Sequence, residues 1–413
     1  MTSTTTTSSA NGGHGAVSAV LFLCLFAAQA GAIALSPVLA EVARDLDVST
    51  AAAGQLRTIA GLVAGVTALA LGRLGARVAL GRQLLGGSLL LALGSLASAA
   101  APGIGPLAAA QVPVGAGIGI LTTAGTLAAA EWVPRERRAA TLSWALIGQP
   151  AAWIVGMPLL GAVGERSWRW AWLALPLAAA LVAGAAVARR GSAPRASRAP
   201  ARLRAALEAP GLARWLAAEL LANSAWAGTL VYSGALFVES YGASTAVTGV
   251  VLALGAGAYV LGNLALRRLA DGGPQRLLVG LALALAAATA LFGACRPSIV
   301  VSTALFSAAA FAAGGRTFLS SAFGLAARPE LRPGAMAMRA ASMQLGYFAG
   351  SIASGAALTV GGYSALGATM GAFFVGAAAT LARRPASKGA TAERASALAR
   401  PRAPLPALYR QRG

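Results

Sequence analysis

Three ionisable side chains stand inside long apolar stretches of this 413-residue chain: Arg57, Glu219 and Arg316. A charge at mid-depth in hydrocarbon is unfavourable by about 2.5–3.5 kcal/mol on insertion scales, so one that is kept there is a candidate for function. Glu219 has Asn223 and Trp226 at i+4 and i+7, which puts all three on one helical face. Arg316 shares a face with Ser320 and Phe323 at the same spacings. Arg57 follows Gly54-Gln55-Leu56 early in its stretch, where it either snorkels to the headgroups or meets an anion near the outer mouth. A buried carboxylate can carry a proton, and a guanidinium can hold a negative group. The chain offers no other chemistry. Lys388 is the only lysine, His14 the only histidine, and Cys24 and Cys295 the only cysteines. Neither a phosphate-binding loop with its lysine nor a metal cluster nor a nucleophile–base pair can be assembled from these residues. That excludes an ATP-driven pump and gives no enzyme, no cofactor and no metal.

The elements that position these residues follow from composition. The chain is 57% hydrophobic and 11% charged, with mean hydropathy +0.69. A soluble domain carries about 25% charged residues, so this reads as an integral membrane protein. A helix needs about 20 apolar residues to span the hydrocarbon. Blocks of that kind occur at 16–39, 51–71, 83–100, 106–130, 139–163 and 170–187, then at 212–238, 246–266, 277–294, 299–326, 336–358 and 363–381. Between the two sets runs a basic, Pro- and Gly-broken segment with Arg189, Arg190, Arg195, Arg198, Arg202 and Arg204. Such a segment cannot lie in lipid, and short arginine-rich loops stay in the cytoplasm. The outer loops then hold only Arg44, Arg166, Arg169 and Arg296, with Arg214 and Arg339 at inner helix ends, and both termini are cytoplasmic. The net charge of +21 is explained by loops facing anionic lipid rather than by nucleic acid.

The predicted organisation is a polar disordered tail at 1–15, a six-helix half at 16–188, a linker at 189–210, a second six-helix half at 211–382, and a basic disordered tail at 383–413. The halves echo one another: Gly72-Arg73-Leu74-Gly75-Ala76-Arg77 against Gly262-Asn263-Leu264-Ala265-Leu266-Arg267, and Pro134-Arg135-Glu136-Arg137 against Pro329-Glu330-Leu331-Arg332. Parallel repeats of this kind are a transporter architecture with the site at the midplane. Small residues at spacing four, Gly148/Ala152/Gly156 and Gly346/Gly350/Ser354, predict close helix packing within one chain, hence a monomer. Pro150 and Pro158 predict bends in the fifth helix.

Several segments carry a family resemblance. Ser36-Pro37 and Asp45-Leu46-Asp47-Val48-Ser49 follow the first helix, Ala130-Glu131-Trp132-Val133-Pro134 the fourth, and Ser167-Trp168-Arg169-Trp170-Ala171-Trp172 precedes the sixth. With the twelve blocks, the chain resembles the major facilitator superfamily, most closely its twelve-helix bacterial drug–proton antiporter branch. The family's loop motif between the second and third helices is matched at Gly72 and Arg77, with Ala76 in place of its aspartate. Its fourth-helix arginine is replaced by Gln111, ahead of Gly115, Gly117 and Gly119. Its fifth-helix antiporter motif is matched only at Pro158 and Gly161, with Trp153 and Met157 where glycines would stand.

The resemblance implies an all-α membrane fold of two pseudo-symmetric six-helix bundles, with the first, fourth, seventh and tenth helices lining a central cavity. Glu219 and Arg316 would then face water and each other, as a pair that opens for substrate or proton, or as a static salt bridge. The implied substrate contacts are Arg316, Asn223, Trp226, Ser320, Gln111 and Arg57, with Glu219 as proton carrier. Gly72, Arg73, Arg77 and Glu131 would form the gating loop. The expected activity is proton-coupled efflux of a small amphipathic drug or metabolite by alternating access from the cell membrane. Its partners are the substrate, the proton and the lipid bilayer. Uptake or facilitated passage of a small organic anion held by Arg316 is the alternative, and a non-transporting sensor or assembly partner a remoter one.

Overall fold

In hydrocarbon the backbone has no partner but itself, so each long apolar run must close its own hydrogen bonds as a helix. The computed structural model, which describes residues 7–74, 78–190, 203–266, 274–328 and 330–383, follows that rule. The first half comprises α1 (Thr7–Ile33), α2 (Leu39–Asp45), α3 (Thr50–Gly54), α4 (Leu56–Leu74), α5 (Leu80–Ala99), α6 (Ile104–Glu131), α7 (Arg138–Gly164), α8 (Trp168–Trp172) and α9 (Ala178–Arg190). After α10 (Leu203–Glu208), the second half comprises α11 (Pro210–Tyr241), α12 (Thr245–Ala265), α13 (Pro274–Ala294), α14 (Ile299–Leu325) and α15 (Arg332–Ala382). Among the described residues, ten helical stretches are long and apolar enough to cross a membrane. The last of them, α15, breaks at Gly361 and Gly362 and so supplies two crossings from 51 residues. At 32 residues α11 is also long enough; Glu219, Asn223, Ser224 and Ser233 dilute its hydropathy because it faces the interior. Twelve crossings result.

Two sequence expectations change. The tail expected at 1–15 is helical from Thr7 as a continuation of α1, although its Thr, Ser, Asn and Gly residues are weak helix formers. The segment expected as an all-loop linker at 189–210 contains α10, where Ala206 is buried and Arg204 pairs with Glu208 at 2.7 Å, one turn on. Residues 191–202 of it, and the tail beyond Arg383, lie outside the described residues. Pro150 and Pro158 both lie within α7, which remains one helix. The sixth crossing is instead interrupted at Pro176, where a π-turn over Leu173–Leu177 separates α8 from α9.

Connections alternate between two ends of the bundle. The end that holds Asp45 is tightly made. Ser49, Ser167, Ser244 and Ser298 each stand at a helix N-cap there and accept a first-turn N–H. The Trp168 indole N–H and the Arg169 guanidinium donate to Asp45 Oδ2 at 2.9 and 2.6 Å, and Arg169 also reaches the Ala101 carbonyl at 3.2 Å. The Trp168 bond first, and then Arg169, hold the Asp45 carboxyl below its usual pKa. A carboxyl lowered in the folded state adds stability that is complete above its unfolded value of about 3.9. That stability fades as pH falls through the lower folded value. Acid is therefore expected to loosen this end within that window, and Asp45→Asn to remove that part of the pH dependence. Thermal melts of both proteins across the acid range check it.

The two limbs of α15 are joined without a loop. Gly362 sits at φ +60° and ψ −156°, a region of backbone space that essentially only glycine occupies and that costs another residue about 1–3 kcal/mol. Gly362→Ala is expected to lower stability by about that amount in a detergent melt.

Between the halves, α4 lies on α15 and α7 on α12. A Cβ at Gly61 would come within 2.8 Å of the Phe348 backbone nitrogen, and one at Gly249 within 3.1 Å of Gly161 Cα, so backbones touch at both crossings. The two small-residue stripes are used inside the chain: Gly148 meets the backbone of Phe22 and Phe26, and Gly346 and Gly350 meet that of Asn223 and Ser224. Leu89, Leu93, Val155, Leu181, Leu254 and Leu261 point outward and are exposed, as lipid-facing side chains must be. Cys24 is buried and Cys295 exposed, both as free thiols.

Candidate functional site

The helices enclose a cavity of about 150 Å³ between α1, α6, α7, α11, α12, α14 and α15. Four amides reach it, Gln29, Gln149, Asn223 and Gln344, together with the hydroxyls of Thr122 and Thr317. Trp153, Trp226, Tyr259 and Tyr347 supply aromatic walls. Trp226 lies nearly parallel to Tyr259 and Phe306, at 6.5 and 6.2 Å between centroids. No charged residue is part of the lining.

The charges lie behind it. Arg316 Nη2 on α14 donates to Glu219 Oε1 on α11. Arg339 Nε on α15 lies 3.0 Å from the other carboxylate oxygen, and its Nη2 donates to the Thr317 carbonyl at 3.2 Å. All three side chains are buried. Tyr259 and Thr317 both line the cavity. Three helices are thus tied together by one carboxylate, and the knot touches the cavity through Thr317. Removing water strengthens such pairs, but each ion also loses its hydration, so the cluster holds only while every member is in place.

The expected pair of Glu219 and Arg316 is therefore in contact, and Asn223 and Trp226 line the cavity beside it. Asn223 also donates to Ser342 Oγ at 3.1 Å. Ser320 is turned away and accepts the Trp215 indole N–H at 2.8 Å, so it holds α14 against α11. Gln111 does not reach the cavity either. It is fully buried against α5, donating to Ser98 Oγ at 3.2 Å and to the Leu107 carbonyl at 3.3 Å, because its position on α6 faces that helix.

Arg57 is neither snorkelling nor at an open mouth. It is 3% exposed, stacks on the Tyr347 ring at 4.5 Å, and none of its guanidinium nitrogens has a hydrogen-bond partner. Above it lies a seal at the Asp45 end. Gln55 reaches the Ser351 carbonyl at 2.9 Å and the Tyr232 hydroxyl at 3.3 Å, and Tyr232 donates to the Ala51 carbonyl at 3.1 Å. Glu239 accepts from Thr50 on one oxygen and from Tyr363, at 2.8 Å, on the other. Of the expected gating residues, Gly72 and Arg73 end α4 and Glu131 ends α6, at the opposite end of the bundle, while Arg77 lies outside the described residues.

Arg339 is the functional candidate that sequence reasoning missed. With the eleventh helix started at 336, Arg339 reads as an end residue. In fact α15 begins at Arg332, a full turn earlier, with Pro333 and Gly334 inside its first turn where a missing N–H does no harm.

A family model for the Major Facilitator Superfamily matches residues 21–322. The chain belongs to this superfamily. It is accordingly a multi-pass membrane transporter rather than an enzyme, and its cavity lies between the two halves. Among solved structures, a bacterial homolog of the human lysosomal transporter Spinster, inward-facing and occupied, is similar at TM-score 0.70 and 15% identity. That match covers 89% of this chain and 96% of the other. The xylose transporter XylE from E. coli, inward open, matches at TM-score 0.70 and 17% identity, covering 93% and 99%. The nucleoside transporter NupG matches at 0.69 and 13%, covering 88% and 98%. At such identities the likeness is one of fold. None of the curated proteins matches the chain by sequence.

Proposed function

We propose that this facilitator exports a small amphipathic molecule, a drug or a metabolite, by alternating access, in exchange for protons. The observation that carries the reading is Glu219, the one carboxylate buried among the described residues, knotted to Arg316 and Arg339 on three helices behind the cavity. Each guanidinium group lies against one oxygen of that carboxylate. A proton arriving at Glu219, or a substrate pulling on Thr317, competes with that grip and frees α11, α14 and α15 to tilt. The cavity suits amphipathic cargo: aromatic faces for an apolar body, neutral amides for its polar groups. A solved relative in fold is a D-xylose–proton symporter, which supports proton use in this architecture.

The arginine-rich linker orients the protein in the cell membrane, with that end and both termini in the cytoplasm. The seal of Gln55, Tyr232, Ser351 and Glu239 then closes the outer side, which makes this the inward-facing state. Passive carriage of an organic anion by Arg316 is disfavoured, because the Arg316 fork is engaged with Glu219. The test is accumulation of lipophilic dyes and labelled antibiotics in an efflux-deficient bacterial host. Cells making the protein are expected to hold less of at least one compound, with the difference erased by a protonophore. Equal accumulation of every compound, in cells with confirmed membrane insertion, would contradict export.

A further inference from the structure

Among the described residues four charged side chains are buried: Arg57, Glu219, Arg316 and Arg339. Glu219 neutralises one positive charge of the two that flank it, and nothing neutralises Arg57. A buried guanidinium without hydrogen bonds is strongly disfavoured. The face of Tyr347 returns only part of what hydration gave it. Tyr347 itself lines the cavity. One turn before it on α15, Gln344 also lines the cavity, with its side-chain oxygen buried and unpartnered; rotation of that amide presents its NH₂ instead. Arg57 thus lies against Tyr347, one turn along α15 from Gln344, where α4 and α15 cross so closely that a Cβ at Gly61 would sit 2.8 Å from Tyr347 Cβ and 3.1 Å from the Gln344 carbonyl.

We infer that the carried molecule is an aromatic monoanion, its ring held between the cavity's aromatic walls and its negative group taken by Arg57 with help from Gln344. This deepens the transport reading and rests on it. The volume limits the ring: a cavity of about 150 Å³ in another protein accepts benzene. The sign is set by the charges. The one acid near the cavity is already paired, so an anion meets a positive excess and no free carboxylate. The site also has a consequence for switching. Arg57 belongs to the first half and Tyr347 to the second, beneath the outer seal. A carboxylate that draws Arg57 off the Tyr347 face loosens a contact between the halves, so the cargo itself weakens the closed outer side.

The test is isothermal titration of the full-length protein, purified in detergent, with benzoate and phenylacetate, their neutral amides, and inorganic phosphate and chloride. At least one acid is expected to bind saturably and at least tenfold tighter than its amide, without displacement by phosphate or chloride. Arg57→Gln is expected to erase the preference for acid over amide. Arg57→Lys, which keeps the charge without the planar fork, is expected to weaken the acid three- to tenfold and leave the amide unchanged; it serves if Arg57→Gln does not fold. Equal binding of acid and amide, no binding of either acid, an unchanged ratio in the Arg57 variants, or displacement by an inorganic ion would each overturn the inference. Because binding at equilibrium needs no transport, acid binding without altered cellular accumulation would sink the export reading and leave this site standing.

Discussion

Arg316→Ala is expected to destabilise the protein by about 3–5 kcal/mol, the range for breaking a buried pair by removing one partner. The loss comes less from the missing attraction than from Glu219, left buried with one guanidinium whose Nε is in ion-pair range but not aligned for a hydrogen bond. Replacing the whole knot should behave oppositely. In Glu219→Gln/Arg316→Met/Arg339→Met the charges are gone together, and stability is expected to return to within about 1–2 kcal/mol of the parent, since buried ion pairs are often replaceable by well-packed apolar groups. Thermal melts in detergent read both. The triple variant also separates two roles for the knot. A static clamp predicts that transport returns with stability, and a coupling switch predicts a folded, inactive protein.

The second large effect concerns Glu219 alone. Glu219→Gln keeps shape and one hydrogen-bond acceptor for Arg316 but can neither carry nor release a proton. Concentrative transport driven by a proton gradient is expected to fall by at least tenfold, about 1.4 kcal/mol or more. Removing the carboxylate also leaves Arg316 and Arg339 buried without a counter-charge, so the variant is expected to melt lower. In the protein that stays folded, exchange of labelled for unlabelled substrate across vesicles at equal pH is expected to persist, because the cavity walls are untouched. Loss of exchange together with accumulation would mean that Glu219 shapes the cavity rather than couples it.

Much of the architecture was legible because hydrocarbon imposes a length and a composition on every crossing. That is why the apolar blocks and the arginine-rich break between them recover the order of helices. Glu219 and Arg316 were legible for the same reason, as charges that lipid would reject unless something kept them. The cavity was not. A spanning helix is apolar all round, since lipid and core are alike to it, and no periodicity shows which face turns inward. Trp153, Tyr259, Gln344 and Tyr347 are neutral residues in apolar sequence and announce nothing. Gln111 shows the converse failure: a motif position points to the cavity, while Ser98 on α5 draws the side chain the other way. Arg339 was lost to a boundary displaced by one turn; Arg57 was singled out, but its burial was not, because an arginine near a helix start was read as reaching the headgroups or an outer mouth. Its burial beneath Gln55 and Tyr232 depends on how the halves meet at the Asp45 end, a property of the tertiary fold that no local pattern contains.

The central claim is that cargo and proton movements are coupled through Glu219. The most direct measurement is internal pH, read by a trapped fluorescent dye in sealed proteoliposomes, when a transported compound identified in the cellular assay is added on one side with no pH gradient imposed. Coupling predicts a saturable pH change that follows the compound and is absent in Glu219→Gln. Movement of the compound with no change in pH in the parent protein would contradict it.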